Sequence, residues 1–171
     1  MSSKALLMAL GVAAVACASD ALDASSSVDV PSGKDFAAVS LVLESNCGTL
    51  DCHGHPARNF RVYGKQGLRL FGDDTVGGAD TRDDEVRATY QSVISIDPEA
   101  LSRVRSQGGA GVEGWIVVAK ARALQYHEGG VRLLAGSPGD TCLASWASGT
   151  LDSSSCFTDD FGPIPRAGES W

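Results

Sequence analysis

The chain opens on an export signal and then carries four cysteines through a glycine-rich stretch, and this combination constrains the fold more than any other feature. Met1–Lys4 bears one positive charge, and Ala5–Ala16 is an apolar run. A run of that length reads as the h-region of a signal peptide and is too short to cross a bilayer as a stable helix. Cys47, Cys52, Cys142 and Cys156 would therefore meet an oxidising compartment, where an even number of thiols reads first as disulfides. The sequential pairing is Cys47–Cys52 and Cys142–Cys156. With 20 glycines and a modest length, the folded part has a small core and needs such a staple.

Small residues lead from the apolar run into Cys17. Ala14-Val15-Ala16-Cys17 resembles the bacterial lipoprotein signal, in which the cysteine becomes the acylated first residue of the mature chain. The alternative is ordinary signal-peptidase cleavage in the same stretch. Either route exports the protein. Acylation would hold it at the membrane through lipid, on the bacterial outer membrane or cell surface and possibly periplasm-facing. Ala18 follows the cysteine, so no Asp stands there to suggest retention at an inner membrane.

The expected organisation is a signal peptide over 1–16, an acylated cysteine and flexible tether over 17–33, one domain over 34–161 and an irregular tail over 162–171. The tether is Ser-, Ala- and Asp-rich with little that packs. A net charge of −7 and the lack of a basic cluster exclude nucleic acid as the natural partner.

Within the domain the periodicity is mainly helical. Phe36, Val39, Val42 and Leu43 share one helical face in Asp35–Asn46, with Ser32 or Asp35 as cap. Val86, Tyr90 and Val93 do so in Asp83–Ser95, whose leading acids suit the helix dipole. Pro98 after Asp97 opens a further helix that ends near Gln107-Gly108-Gly109, and Ser137-Pro138 opens one that ends near Gly149. Trp115–Ala119 fits a strand or a buried helical turn equally well. Phe60–Phe71 holds two short alternating runs, and 72–82 reads as loop. The fold class is mainly α, loop-rich, with long connections.

The chemically informative segment is Cys47-x4-Cys52-His53. Two cysteines with a histidine directly after the second form the pattern for covalent haem: thiols add across the vinyl groups and the adjacent imidazole reaches the iron. The usual spacing has two residues between the thiols, and here there are four. The same residues allow a small disulfide loop with an exposed His53, or a zinc site with His55 added.

The surrounding chain resembles the planctomycete-type cytochrome c domains. The matching stretches are Cys52-His53-Gly54, Gly67-Leu68-Arg69-Leu70, His127-Glu128-Gly129-Gly130 and Trp146-Ala147-Ser148-Gly149, in that order. The wider thiol spacing and the additional Cys142 and Cys156 depart from the family's pattern. The resemblance implies a small cytochrome c-like fold and a covalent haem c on Cys47, Cys52 and His53.

For a second axial ligand, Met1 and Met8 both lie in the signal, and His55 sits too close to His53 to reach the opposite face. His127 remains, and Gly129-Gly130 behind it would permit close approach to a porphyrin. Arg58, Arg61 and Arg69 are either propionate partners or solvated surface; Trp115 and Trp146 read as core; Cys142–Cys156 reads as a disulfide that ties the last helix to the tail. No nucleophile–base set is present, so the chain reads as an electron carrier or redox sensor with a redox protein partner rather than an enzyme. The alternative function is a haem-free, disulfide-stapled binding or structural lipoprotein.

Overall fold

A computed structural model of the chain describes residues 28–72 and 74–156. The expected signal peptide, Cys17, the end of the expected domain after Cys156 and the expected tail over 162–171 lie outside these residues. Five α-helices carry the fold: α1 (Phe36–Cys47), α2 (Asp83–Ile96), α3 (Pro98–Ser106), α4 (Ile116–Ala121) and α5 (Pro138–Ser148). Short 3-10 turns precede α1 and α4 and follow α5. Among the described residues there is no strand, and the two alternating runs in Phe60–Phe71 are loop joined by one isolated bridge between Tyr63 and Leu68. The domain is mainly helical, as the periodicity implied.

Helix boundaries follow local chemistry. Pro98 and Pro138 each occupy a first-turn position where no amide hydrogen is needed. The Asp97 side chain accepts from the Ala100 N–H at 3.3 Å, and Ser137 Oγ accepts from Asp140 N–H at 3.4 Å. Gly149 ends α5 in the left-handed conformation at φ 86°. Within Trp115–Ala119 the chain turns helical from Ile116, behind Trp115 as an extended cap; Trp115, Val117, Val118 and Ala119 are all buried, and a helix satisfies its own backbone polar groups there.

The core forms where α1 meets α2 and α5. Phe36 at the start of α1 lies between Tyr90, at 5.3 Å between ring centroids, and Trp146, at 5.0 Å. Trp115 completes the cluster 6.4 Å from Trp146, so both tryptophans are core as expected. The Cys142–Cys156 disulfide is present and buried against this cluster, linking α5 to the 3-10 turn behind it. Across a separation of 14 residues such a bond contributes about 3 kcal/mol through the unfolded state.

The segment 28–33, assigned above to the tether, docks on the helices. Asp29 pairs with Arg105 at 2.9 Å, Tyr90 Oη donates to Pro31 O at 2.9 Å, and Trp146 Nε1 donates to Ser32 O at 3.2 Å. The ordered domain thus includes residues before Lys34. The segment binds there through the Asp29 carboxylate and the backbone carbonyls of Pro31 and Ser32, which composition does not display.

Two buried glutamates organise the long connection between α1 and α2. Glu44 accepts from Gln66 N–H at 3.1 Å and Thr81 Oγ1 at 2.7 Å. Glu85 accepts from Arg69 Nε at 2.8 Å, Leu70 N–H at 3.1 Å and Arg82 N–H at 3.0 Å. Burial pushes the Glu85 carboxyl up, but the Arg69 guanidinium and the two amides outweigh it and hold it below the usual range. Arg69 therefore neither reaches a haem edge nor lies solvated; its side chain is 4% exposed, locked between Glu85 and Asp74. Removing one partner strands the other in the core. Arg69→Met is expected to lower unfolding free energy by about 3 kcal/mol, read as a reduced urea midpoint; an unchanged midpoint would contradict this assignment.

Candidate functional site

Helix α1 ends on Cys47, and the chain turns immediately into the Cys-His loop. His53 N–H returns to Cys47 O at 2.9 Å, while Cys52 N–H and Gly54 N–H both donate to Thr49 O, at 2.9 and 3.0 Å. The loop is therefore wound tightly on the helix end. Gly54 and Gly67 pack backbone to backbone beneath it, and a Cβ at either would overlap the Gly48 carbonyl oxygen. This contact joins the glycine of Cys52-His53-Gly54 to the glycine of Gly67-Leu68-Arg69-Leu70.

Four predicted site residues, Cys47, Cys52, His53 and His127, line one cavity of about 950 Å³. That lies at the upper end of the roughly 300–1,000 Å³ typical of cofactor and ligand pockets. Ile96, Ile116 and Val117 give it an apolar wall; Arg58, Lys120 and Arg132 bring cations to it. Cys47 and Cys52 are both free thiols. The sequential Cys47–Cys52 disulfide pairing is thus not formed. Burial, reinforced by the neighbouring Cys52, pushes the Cys47 thiol up to about 12.

The imidazoles of His53 and His127 are parallel within 8°, with centroids 6.1 Å apart. Each ring makes the same kind of contact at its Nδ1. His53 Nδ1 hydrogen-bonds Phe60 O at 3.0 Å, and His127 Nδ1 hydrogen-bonds Gly130 O at 3.0 Å. A carbonyl accepts only, so in each ring Nδ1 carries the proton and the Nε2 lone pair is left available. The Phe60 ring meets His53 edge-on at 4.8 Å.

The glycines after His127 shape the turn that holds its ring. Gly130, at φ 65°, closes a turn that returns its carbonyl to Nδ1, and Gly129 lies directly against the imidazole. His55 points away from the cavity, with Nδ1 accepting from Ala57 N–H at 3.1 Å. Among the described residues no group of three or more His, Cys, Asp or Glu could hold a metal ion, so the zinc alternative lacks its donor set.

Arg58 donates to Cys52 O and Asp51 O, both at 3.2 Å, and Arg61 donates to Arg58 O at 2.9 Å. Arg132 and Lys120 were not singled out from the sequence. Arg132 lies 4.0 Å from Cys52 Sγ, brought there by a fold contact between residues 80 apart. No local spacing signals such a contact. Comparison with protein-family models, curated proteins and solved structures finds no match for this chain.

Burial holds His53 below the ordinary imidazole value of about 6.5. Its folded pKa is depressed, so the unfolded chain binds the extra proton first. The stability contributed by the neutral ring is complete above about pH 6.5 and is lost as pH falls through the folded value. Haem-free protein should therefore lose stability on acidification below about pH 6.5, and His53→Gln should flatten that dependence in urea titrations. In the same haem-free protein iodoacetamide should alkylate the half-exposed Cys52 several-fold faster than buried Cys47, as read by peptide mass.

Proposed function

We propose that this chain is an exported, lipid-anchored haem protein that transfers electrons or senses redox state, with haem c attached through Cys47 and Cys52 and held axially by His53 and His127. The observation that carries the reading is the histidine pair. A metal–imidazole bond is about 2 Å long, so two imidazoles sharing one metal have centroids roughly 6 Å apart once the ring radii are added. The spacing here is 6.1 Å. Both rings also have Nδ1 tied to a backbone carbonyl, the outer contact that fixes the tautomer of a ligating imidazole and raises its basicity.

The rest of the cavity fits the same group. Two free thiols stand beside His53, an apolar wall faces them, and Arg58, Lys120 and Arg132 offer positive charge to carboxylates. Bound haem would supply one-electron redox chemistry. The protein's own contribution is to orient both imidazoles, keep their Nε2 atoms deprotonated and surround the site with apolar side chains. Two nitrogen ligands favour a lower potential than a histidine–methionine pair. The resemblance to planctomycete-type cytochrome c domains, the export signal and the lipoprotein-like Cys17 belong to the same reading.

The test is expression in a periplasm with haem-maturation machinery, followed by acid denaturation and a visible spectrum. The expected result is a Soret band that stays with the polypeptide and is lost from it in Cys47→Ala/Cys52→Ala. A colourless protein with two titratable thiols would overturn the proposal and leave the haem-free binding lipoprotein.

A further inference from the structure

The two imidazoles that face each other across the cavity are restrained very differently. His53 is held from several sides. Its N–H donates to Cys47 O at the end of α1, its carbonyl accepts from Val62 N–H at 2.9 Å, and its ring is fixed by Phe60 through both a hydrogen bond and an edge contact. Val62 is itself fully buried. To move His53, the fold would have to unwind the loop from the helix and pull Val62 from the core.

His127 rides on a strap. One end is pinned where Leu124 N–H donates to Ala119 O at 2.8 Å, and the other where Arg132 and Leu133 N–H donate to Ala121 O at 2.8 and 3.1 Å. Both pins are on α4, whose position is fixed by the ion pair of Arg122 with Asp140 on α5, at 2.7 Å. Between the pins, residues 126–131 are held by their own turn: Gly130 N–H donates to His127 O at 2.9 Å and Gly130 O takes the His127 ring. The one hydrogen bond from the strap's middle to the rest of the described protein runs from Lys120 Nζ to Tyr126 O. Left-handed backbone occurs just before the first pin at Ala123, φ 54°, and within the strap at Gly130, φ 65°. Tyr126 is 86% exposed, so the strap buries little that would resist its leaving.

Resting on the haem reading above, we propose that His127 is the exchangeable ligand of the pair, and that strap 126–131 swings outward on its α4 pins to open a binding position for a small uncharged ligand such as carbon monoxide or nitric oxide. The turn that holds the imidazole moves with it, so leaving breaks the Lys120 contact but not the Nδ1 bond. Ile116 and Val117 of α4 line the same cavity, and an apolar lining favours a neutral ligand over an ion. His53 stays in place throughout.

Carbon monoxide is the probe, added to the dithionite-reduced haem-loaded protein and followed in the Soret region. The expected result is an adduct whose formation rate levels off with rising carbon monoxide, because strap opening limits it. Lys120→Met removes the one contact that leaving breaks and keeps an aliphatic stem on α4; the limiting rate should rise about five-fold, the equivalent of roughly 1 kcal/mol. His127→Ala should bind with a rate linear in carbon monoxide and give the wild-type adduct spectrum, since His53 is the opposite ligand in both. Haem-loaded protein that takes up no carbon monoxide, an unchanged rate in Lys120→Met, or a different adduct spectrum in His127→Ala would overturn the inference and leave the haem reading standing. Protein that carries no haem would overturn both.

Discussion

Burial of α1 on two sides sets the positions of nearly everything described here. Phe36, Val39, Val42 and Leu43 are withdrawn from water against α2 and α5, and Glu44 on the same helix reaches in the other direction to the connection between α1 and α2. A helix held along its length in this way has a fixed end, and that end is Cys47. The Cys-His loop takes its geometry from the hydrogen bond His53 returns to Cys47 O and from the close packing of Gly54 and Gly67 on Gly48. Misplacing Phe36 would therefore be felt at His53, although the two share no contact.

The second half of the cavity is assembled independently. Helix α4 has six residues, too short to be stable on its own. It persists because Val117, Val118 and Ala119 are buried and because Asp140, at the start of α5, grips Arg122 and also accepts from Gly136 N–H at 2.8 Å. That grip closes the segment between α4 and α5 into a loop with fixed ends and brings His127 across from His53. One wall of the site thus comes from a helix end and the other from a tethered loop, which accounts for the unequal restraint on the two imidazoles.

Electrostatics in this protein divide between structure and site. The chain is acidic overall, yet the buried carboxylates Glu44, Glu85 and Asp140 are each satisfied by several donors and act as fasteners for loops. The cations near the cavity, Arg58, Lys120 and Arg132, occupy a different situation: with Asp51 and Glu128 they line a space that also has an apolar wall, and they outnumber its carboxylates. An organic group with an apolar body and acidic edges suits such a space.

The sequence by itself determined the helices and the chemistry available to the site. Periodic burial of Phe36, Val39 and Val42, proline at the first turns of α3 and α5, and glycine after Ser148 are local signals, and local signals survive being read without coordinates. The adjacency of Cys52 and His53 and the lack of methionine after Met8 likewise pointed to His53 and His127. Only the tertiary structure decided that Cys47 and Cys52 are free, that Arg69 is buried with Glu85, that residues 28–33 belong to the domain, and that His127 lies parallel to His53 with Arg132 beside Cys52. Each of those depends on contacts between residues far apart in the chain. Such contacts follow from how whole helices pack, and no spacing within one segment encodes them.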